Sequence, residues 1–464
     1  MNGPLVVAIV LLLLVLLAMR TPVAFALGLS GAVGLALLRD FDFATNMLGA
    51  IPFDETARFT LTIIPMFILM GMFAMKAKMA EQVYAVAAHA FKKLPGGLGV
   101  ATVMACAGFA AVSGSSIGTT ATMSKLSVGE MRKHGYPDSL ATATVAMAGT
   151  LGVLIPPSII LVLYAIMTGE SVAKVLAAGI LPGILTAIAF ALYTMLAAPK
   201  AMAEQRELSM ALSAAATTHG TASGNGTDST ITTTEASTSQ RLRDLPMRGL
   251  VRVAILFLIV LGGMYSGIFT PTESAAIGAL AAAVMLVMEM WRDGPKATLS
   301  AAVDALKETA GTTSMVFSII VGSAVLSIFF VAAKVPQALT SAVVGANLNP
   351  HLTIGLLLLT LLPLGMALES ISILVITVPL LYPVGMELGF DGIWLGILIV
   401  KLVEIGMVTP PVGIQCFVVA GTSGVKVSTI FRGVLPFVVI ELILVAILFA
   451  FPQIILWLPS MVTF

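Results

Sequence analysis

Apolar runs of membrane-crossing length recur through this chain, from PLVVAIVLLLLVLLAM near one end to GVLPFVVIELILVAILFAF near the other. A helix needs roughly 20 such residues to cross the hydrocarbon of a bilayer. Of the 464 residues 58% are hydrophobic and 10% charged, with mean hydropathy +1.06, outside the range of an ordinary soluble globule. The expectation is an all-α polytopic membrane protein embedded in a lipid bilayer. A net charge of +1 without a basic cluster offers no footing for nucleic acid. Cys106 and Cys416 lie in apolar stretches, away from any CxxC or histidine spacing, and read as packing residues rather than a metal site or a disulfide. No basic residue precedes the first run and no small-residue cleavage site follows it, so residues 4–19 are expected to be a retained helix.

Polar turns interrupt the apolar sequence in a paired fashion. AVSGSSIGTT, residues 111–120, gathers Ser113, Gly114, Ser115, Ser116, Gly118, Thr119 and Thr120 where hydrocarbon would be the solvent. Shifting the second half over the first brings Ser116 onto Ser370, Gly152 onto Gly406, Pro156-Pro157 onto Pro410-Pro411 and Gly179 onto Gly433. Thr21-Pro22 falls near Thr270-Pro271 in the same comparison. Glycine and proline mark backbone geometry, so their coincidence points to one architecture used twice. Between the halves, residues 214–240 are rich in Ser, Thr and Gly and read as a flexible linker. The expected division is a first repeat over 1–200, a linker over 201–249 and a second repeat over 250–464.

Lysine and arginine set the orientation. With residues 4–19 running inward, 23–38 outward and 60–75 inward, Arg20, Lys76, Lys78, Lys92 and Lys93 fall in the cytoplasm and Arg39 and Arg58 outside. Residues 98–130 hold two short apolar pieces joined by the Ser/Gly turn, and Lys125, Arg132 and Lys133 follow. This predicts a re-entrant hairpin that enters and leaves from the cytoplasm. Residues 139–168 then cross outward and 171–199 return, leaving the linker cytoplasmic. The odd count, about five crossings, inverts the second half, whose spans are expected at 250–268, 272–290, 311–333, 390–421 and 429–458. A second hairpin, over 351–383, enters from the opposite side, and both termini face the periplasm.

Non-helical backbone at membrane depth is tolerated where protein buries it or a wet cavity satisfies it. In inverted repeats such turns form the substrate and ion site near the midplane. The hydroxyls and freed carbonyls of the tip near Ser113–Thr119 offer oxygen ligands, and the helix restarting near Ile117 turns its positive end toward an arriving anion. AGTLGVLIPPS and EIGMVTPPVG place Gly and then Pro-Pro inside the long helices 139–168 and 390–421 and free further carbonyls. A small-residue helix contact or a proline kink used for packing would be the simpler alternatives. Two breaks at matching positions beside two polar turns favour a binding site.

FAAVSGSSIGTTATM, GYPDSLATATVAMAGTLGVLIPPS, GIFTPTESAAIGA, ESISILVITVPLLYP and GMVTPPVG together resemble the large membrane subunit of tripartite ATP-independent periplasmic (TRAP) transporters, the DctM-like family. The resemblance runs from about residue 4 to 455. It implies a sodium-driven importer of a small organic acid in the bacterial inner membrane, with sodium as coupling ion and no other cofactor. It also implies a fold of the elevator type, a separate small four-helix membrane subunit, and a periplasmic substrate-binding protein. Glu369 stands where many members have Asp, and the long linker is unusual. Carried over by residue, the substrate region comprises Ser113, Ser115, Ser116, Thr119, Glu369, Ser370 and Thr409. Sodium is expected at Ser113, Gly114, Ser115, Gly149, Gly152, Gly406, Thr409 and Pro410, mainly through backbone carbonyls.

Lys401 and Glu404 are three apart on one predicted helix, hence neighbours. The spacing predicts a mutual ion pair, or alternatively a Lys401 that attracts a substrate carboxylate. Three other functions fit the composition: an ion-coupled anion transporter working without a binding protein, a channel, and an intramembrane hydrolase with Ser113 or Ser115 as nucleophile. The hydrolase lacks a histidine in any predicted span, a carboxylate pair and an HExxH motif. Broken helices in inverted halves suit alternating access better than a continuous pore.

Overall fold

The computed structural model describes residues 3–218, 247–345 and 349–462. Among these the secondary structure is helical, without strands, and eight stretches are long and apolar enough to cross a membrane. The first two expected spans form Gly3–Ala18 and Val23–Leu38, apolar helices shorter than those eight, and the third forms Ile63–Lys76. Thr21-Pro22 and Thr270-Pro271 both stand at helix starts. At the second, Thr270 and Glu273 form a reciprocal capping box and Pro271 takes the first helical position.

The outer part of the molecule interleaves the two halves. Val23–Leu38 packs along Pro295–Ala332, and Ile63–Lys76 packs along Pro271–Met290, so each half lends its second and third span to the other. Small residues permit the first contact. A Cβ on Gly31 would lie 2.6 Å from the Leu326 backbone nitrogen, and one on Gly322 would lie 2.2 Å from the Ala24 carbonyl oxygen. Gly3–Ala18, by contrast, fully buries only Ile9 and Leu13 and turns Val7, Val10, Leu11, Leu14 and Val15 outward, as lipid contact requires.

The inner part holds the interruptions. Residues 139–168 form Asp138–Leu154 and Ile159–Thr168, and residues 390–421 form Gly392–Val408 and Ile414–Ser423. Every residue of Gly392–Val408 is buried, which makes it a core helix enclosed by protein. The first hairpin comprises Gly97–Ser113 and Ser116–Met123, with a π turn at Ser124–Val128 before Gly129–Lys133. The second comprises Pro350–Leu359, Leu361–Ala367 and Ser370–Glu387.

Several elements extend or add to the expected scheme. Phe41–Thr56 is an unanticipated helix, started by Asp40, whose Oδ1 accepts the Phe43 N–H at 2.6 Å. Its Asp42, Asn46, Asp54 and Glu55 keep it from reading as a span. The span expected at 311–333 begins earlier, at Pro295, behind Gly294. The segment expected to begin the linker at 201 instead continues the helix Val172–Thr218, because AMAEQREL is composed almost wholly of good helix formers. The remainder of the linker, residues 219–246, lies outside the described residues.

Candidate functional site

Each hairpin tip is built so that backbone, not side chain, comes first. Gly97–Ser113 ends at Gly114, whose φ of +59° is the left-handed conformation a glycine adopts without strain. Ser115 is extended and caps the next helix, its Oγ accepting the Gly118 N–H at 3.3 Å. Ser113 Oγ and Thr119 Oγ1 share a hydrogen bond of 2.6 Å across the tip.

This tip sits directly on the first break. The Ile159 N–H donates to the Gly114 carbonyl at 3.5 Å, and a Cβ on Gly114 would lie 2.8 Å from the Pro157 carbonyl oxygen. A Cβ on Gly152 would lie 2.9 Å from the Ser115 carbonyl oxygen, and one on Gly149 only 1.8 Å from Thr120 Oγ1. Glycine is therefore required at both positions for the helix to approach the tip. Ser158 restarts the helix beyond the break, its Oγ accepting the Leu161 N–H at 3.3 Å. The Pro156-Pro157 and Pro410-Pro411 peptide bonds are both cis.

The second tip repeats the arrangement with different side chains. Gly365 and Gly406 meet face to face, a Cβ on Gly365 falling 2.8 Å from the Gly406 Cα. Ser370 Oγ lies 2.7 Å from Met407 Sδ, and Glu369 occupies the position just before Ser370–Glu387. Beyond Thr409, whose Oγ1 donates to the Ile405 carbonyl at 2.5 Å, the chain turns through Gly413 at a φ of +56°.

Both tips open onto one cavity of about 280 Å³. Ser113, Gly114, Ser115, Ser116, Glu369 and Ser370 line it together with apolar side chains that include Ile68, Met72 and Met315. Thr119 is fully buried one layer behind, where it holds Ser113. Gly149, Gly152, Gly406, Thr409, Pro410 and Lys401 do not line it; the first three instead carry the backbone contacts behind the tips. Among the described residues no lysine, arginine or histidine lines this cavity; its walls are largely apolar, and its polar groups are the hydroxyls and main chain of the tips and Glu369. The oxygens gathered at the tips suit a hard cation, and helix starts at Ser116 and Ser370 offer N–H groups to an anion.

Lys401 requires a correction. Its ammonium is fully buried and donates to Thr186 Oγ1 at 2.9 Å and to Glu441, not to Glu404. Helical spacing identifies neighbours on the same helix. The long lysine stem instead reaches Val427–Ala450, where the buried Glu441 supplies the carboxylate. Glu404 Oε1 is left without a hydrogen-bond partner.

Gln415 was not anticipated. It is fully buried just beyond the second break; its Oε1 accepts from Thr120 Oγ1 at 2.8 Å, and its Nε2 has no partner. It ties the first hairpin to the second broken helix. An amide directly after PPVGI, inside an apolar run, was the available signal. Ser372 Oγ, in the first turn of Ser370–Glu387, is likewise buried without a partner among the described residues.

Two re-entrant hairpins, each seated on its own broken helix and both opening onto one cavity inside a helical bundle, define a membrane transporter of the broken-helix class. Over 95% of its length the chain shares the fold of the Alcanivorax borkumensis YdaH transporter, at a TM-score of 0.62 and 15% identity, covering 98% of that structure. The sequence profile of the tripartite ATP-independent periplasmic transporter DctM component matches residues 10–454. The C4-dicarboxylate TRAP transporter large permease protein DctM of Pseudomonas aeruginosa is 33% identical over 94% of both chains. The sialic acid TRAP transporter large permease protein SiaM of Vibrio cholerae is 30% identical over 90% of this chain and 89% of that one. The chain belongs to the DctM component family of TRAP transporters, and the hydrolase reading gives way to that of a permease.

Proposed function

We propose that this chain is the large permease of a sodium-coupled importer, carrying a carboxylate-bearing organic solute across the bacterial inner membrane. A periplasmic binding protein delivers the solute, and a small membrane subunit on a separate chain completes the assembly. The observation that carries this reading is the meeting of both hairpin tips, with their hydroxyls and main-chain oxygens, in one cavity that no lysine, arginine or histidine lines among the described residues. A carboxylate entering such a cavity needs its charge offset from outside the protein, and co-bound sodium is the cation that carbonyl and hydroxyl oxygens suit. The relatives' names add C4-dicarboxylates and sialic acid, both carboxylates, as the solute class.

The sodium contribution is tested at Ser115 and Thr409. Losing one oxygen donor costs about 1 kcal/mol, so Ser115→Ala and Thr409→Ala should each raise the sodium concentration for half-maximal uptake roughly fivefold, in protein that remains folded. Unchanged sodium dependence in both variants removes these residues from the ion site.

Orientation is tested separately. From the charge distribution, both termini are expected in the periplasm and residues 201–249 in the cytoplasm. A cysteine replacing Ser223 should react with a membrane-impermeant maleimide in inverted vesicles and not in intact cells. Labelling from outside intact cells overturns the inverted arrangement.

A further inference from the structure

A second cavity, of about 320 Å³, lies beyond the tips, toward the end of Ile63–Lys76 that follows Arg58 and away from Lys76. Three helices line both cavities in succession. Ile159–Thr168 gives Ile160 to the tip cavity and Leu163 to the second; Ser370–Glu387 gives Ile371 and then Val375; Pro295–Ala332 gives Val316 and then Ile320. About one helical turn therefore separates the two along each helix. In the proposed orientation the second cavity is on the periplasmic side, along the route of an incoming solute.

Its electrostatics differ from those of the tip cavity. Among the described residues lining either cavity, Arg58 is the one lysine or arginine. Its side chain is 53% exposed, and its guanidinium is bound at 2.8 Å to Glu55 Oε1, three residues earlier. Ion pairs this exposed contribute little and exchange readily. A guanidinium also presents a planar fork that takes a carboxylate through two parallel hydrogen bonds. Thr168, Ser323 and Ser327 bring hydroxyls to the same wall. An organic anion travelling toward the tips thus passes one positive side chain, and that side chain's own carboxylate is replaceable.

We propose that Arg58 forms a waiting site for the solute carboxylate, releasing Glu55 to hold it one helical turn ahead of the hairpin tips. This rests on the reading that the solute is an organic acid. The site's occupant is recognised by its carboxylate alone, so different acids should compete for it.

The test uses the full chain in lipid nanodiscs, with succinate and N-acetylneuraminate as probes. Phenylglyoxal modification of Arg58 is followed by peptide mass spectrometry. Either probe should slow modification of Arg58 several-fold while leaving the exposed Arg39 unaffected, and Glu55→Gln should lower the probe concentration required. Sodium chloride of matched ionic strength should not protect. Equal protection by chloride, or protection by neither probe, overturns the waiting site. Sodium-driven uptake is measured in parallel in proteoliposomes holding the whole assembly. Uptake that persists without Arg58 protection defeats the waiting site alone, whereas protection without sodium-dependent uptake supports the site and defeats the proposed coupling.

Discussion

Lys401→Met is expected to leave little folded protein in the membrane. The ammonium is fully buried between Thr186 and Glu441, and Glu441 is itself only 3% exposed. Removing one member of a buried pair strands the other charge in a medium of low dielectric, at a cost of about 3–5 kcal/mol. That approaches the whole stability of many folded proteins, about 5–15 kcal/mol. Glu441→Leu alone should be equally damaging. Combining the two replaces the pair with apolar groups and should recover most of the loss, since apolar substitutes for buried pairs are often neutral. Thermal unfolding in detergent, followed by size-exclusion chromatography, separates these outcomes. A single variant as stable as the parent protein would mean that the pair is dispensable.

The second large effect concerns motion. If the hairpins and broken helices move as one body against the outer helices, a covalent tie between the two groups should stop uptake. Thr122 on the first hairpin donates to Met75 Sδ at 3.8 Å, across the boundary with Ile63–Lys76. Within the inner group, Thr422 Oγ1 donates to Ser124 Oγ at 2.6 Å and joins the second broken helix to the first hairpin. Cysteines at Met75 and Thr122, joined by a short bifunctional thiol reagent, should reduce uptake by about tenfold or more while solute binding persists. The same reagent across Ser124 and Thr422 should be tolerated. The buried Cys106 and Cys416 are first replaced by alanine so that they do not react. Full uptake with the Met75–Thr122 tie would require the moving body to be drawn along another boundary.

How much of this was legible beforehand depends on the kind of signal. Gly114, Gly152 and the Pro-Pro pairs marked both tips and both breaks because backbone geometry restricts which residues serve there. Apolar runs located most helix ends within a few residues, though not the start of Pro295–Ala332 or the end of Val172–Thr218. Lys401 was misassigned because helical periodicity ranks neighbours along one helix, while its partner Glu441 comes from another. Gln415 escaped notice since a lone amide carries no spacing, and only the fold sets it against Thr120. Phe41–Thr56 and the start of Pro295–Ala332 were missed for the opposite reason: their charges hid helices that a search for apolar length cannot find.

The seating of the first tip on its broken helix has a bearing on how such proteins diversify. Ser115, Gly152, Gly114 and Pro157 meet through carbonyl oxygens and hydrogen-only side chains, so a large part of this scaffold is main chain. Main chain is the same whatever the genetic code writes around it. Point substitutions can wreck such a contact but have few ways to retune it. Descendants of one ancestral gene are thereby held to a common handling of cargo, and novelty in what is carried is pushed onto surfaces made of ordinary side chains. Relatives at 33% and 30% identity, named for a C4-dicarboxylate and for sialic acid, are the divergence this constraint leads one to expect. Attempts to redirect such a permease by design should leave the glycines alone and begin at positions where a side chain is free to change.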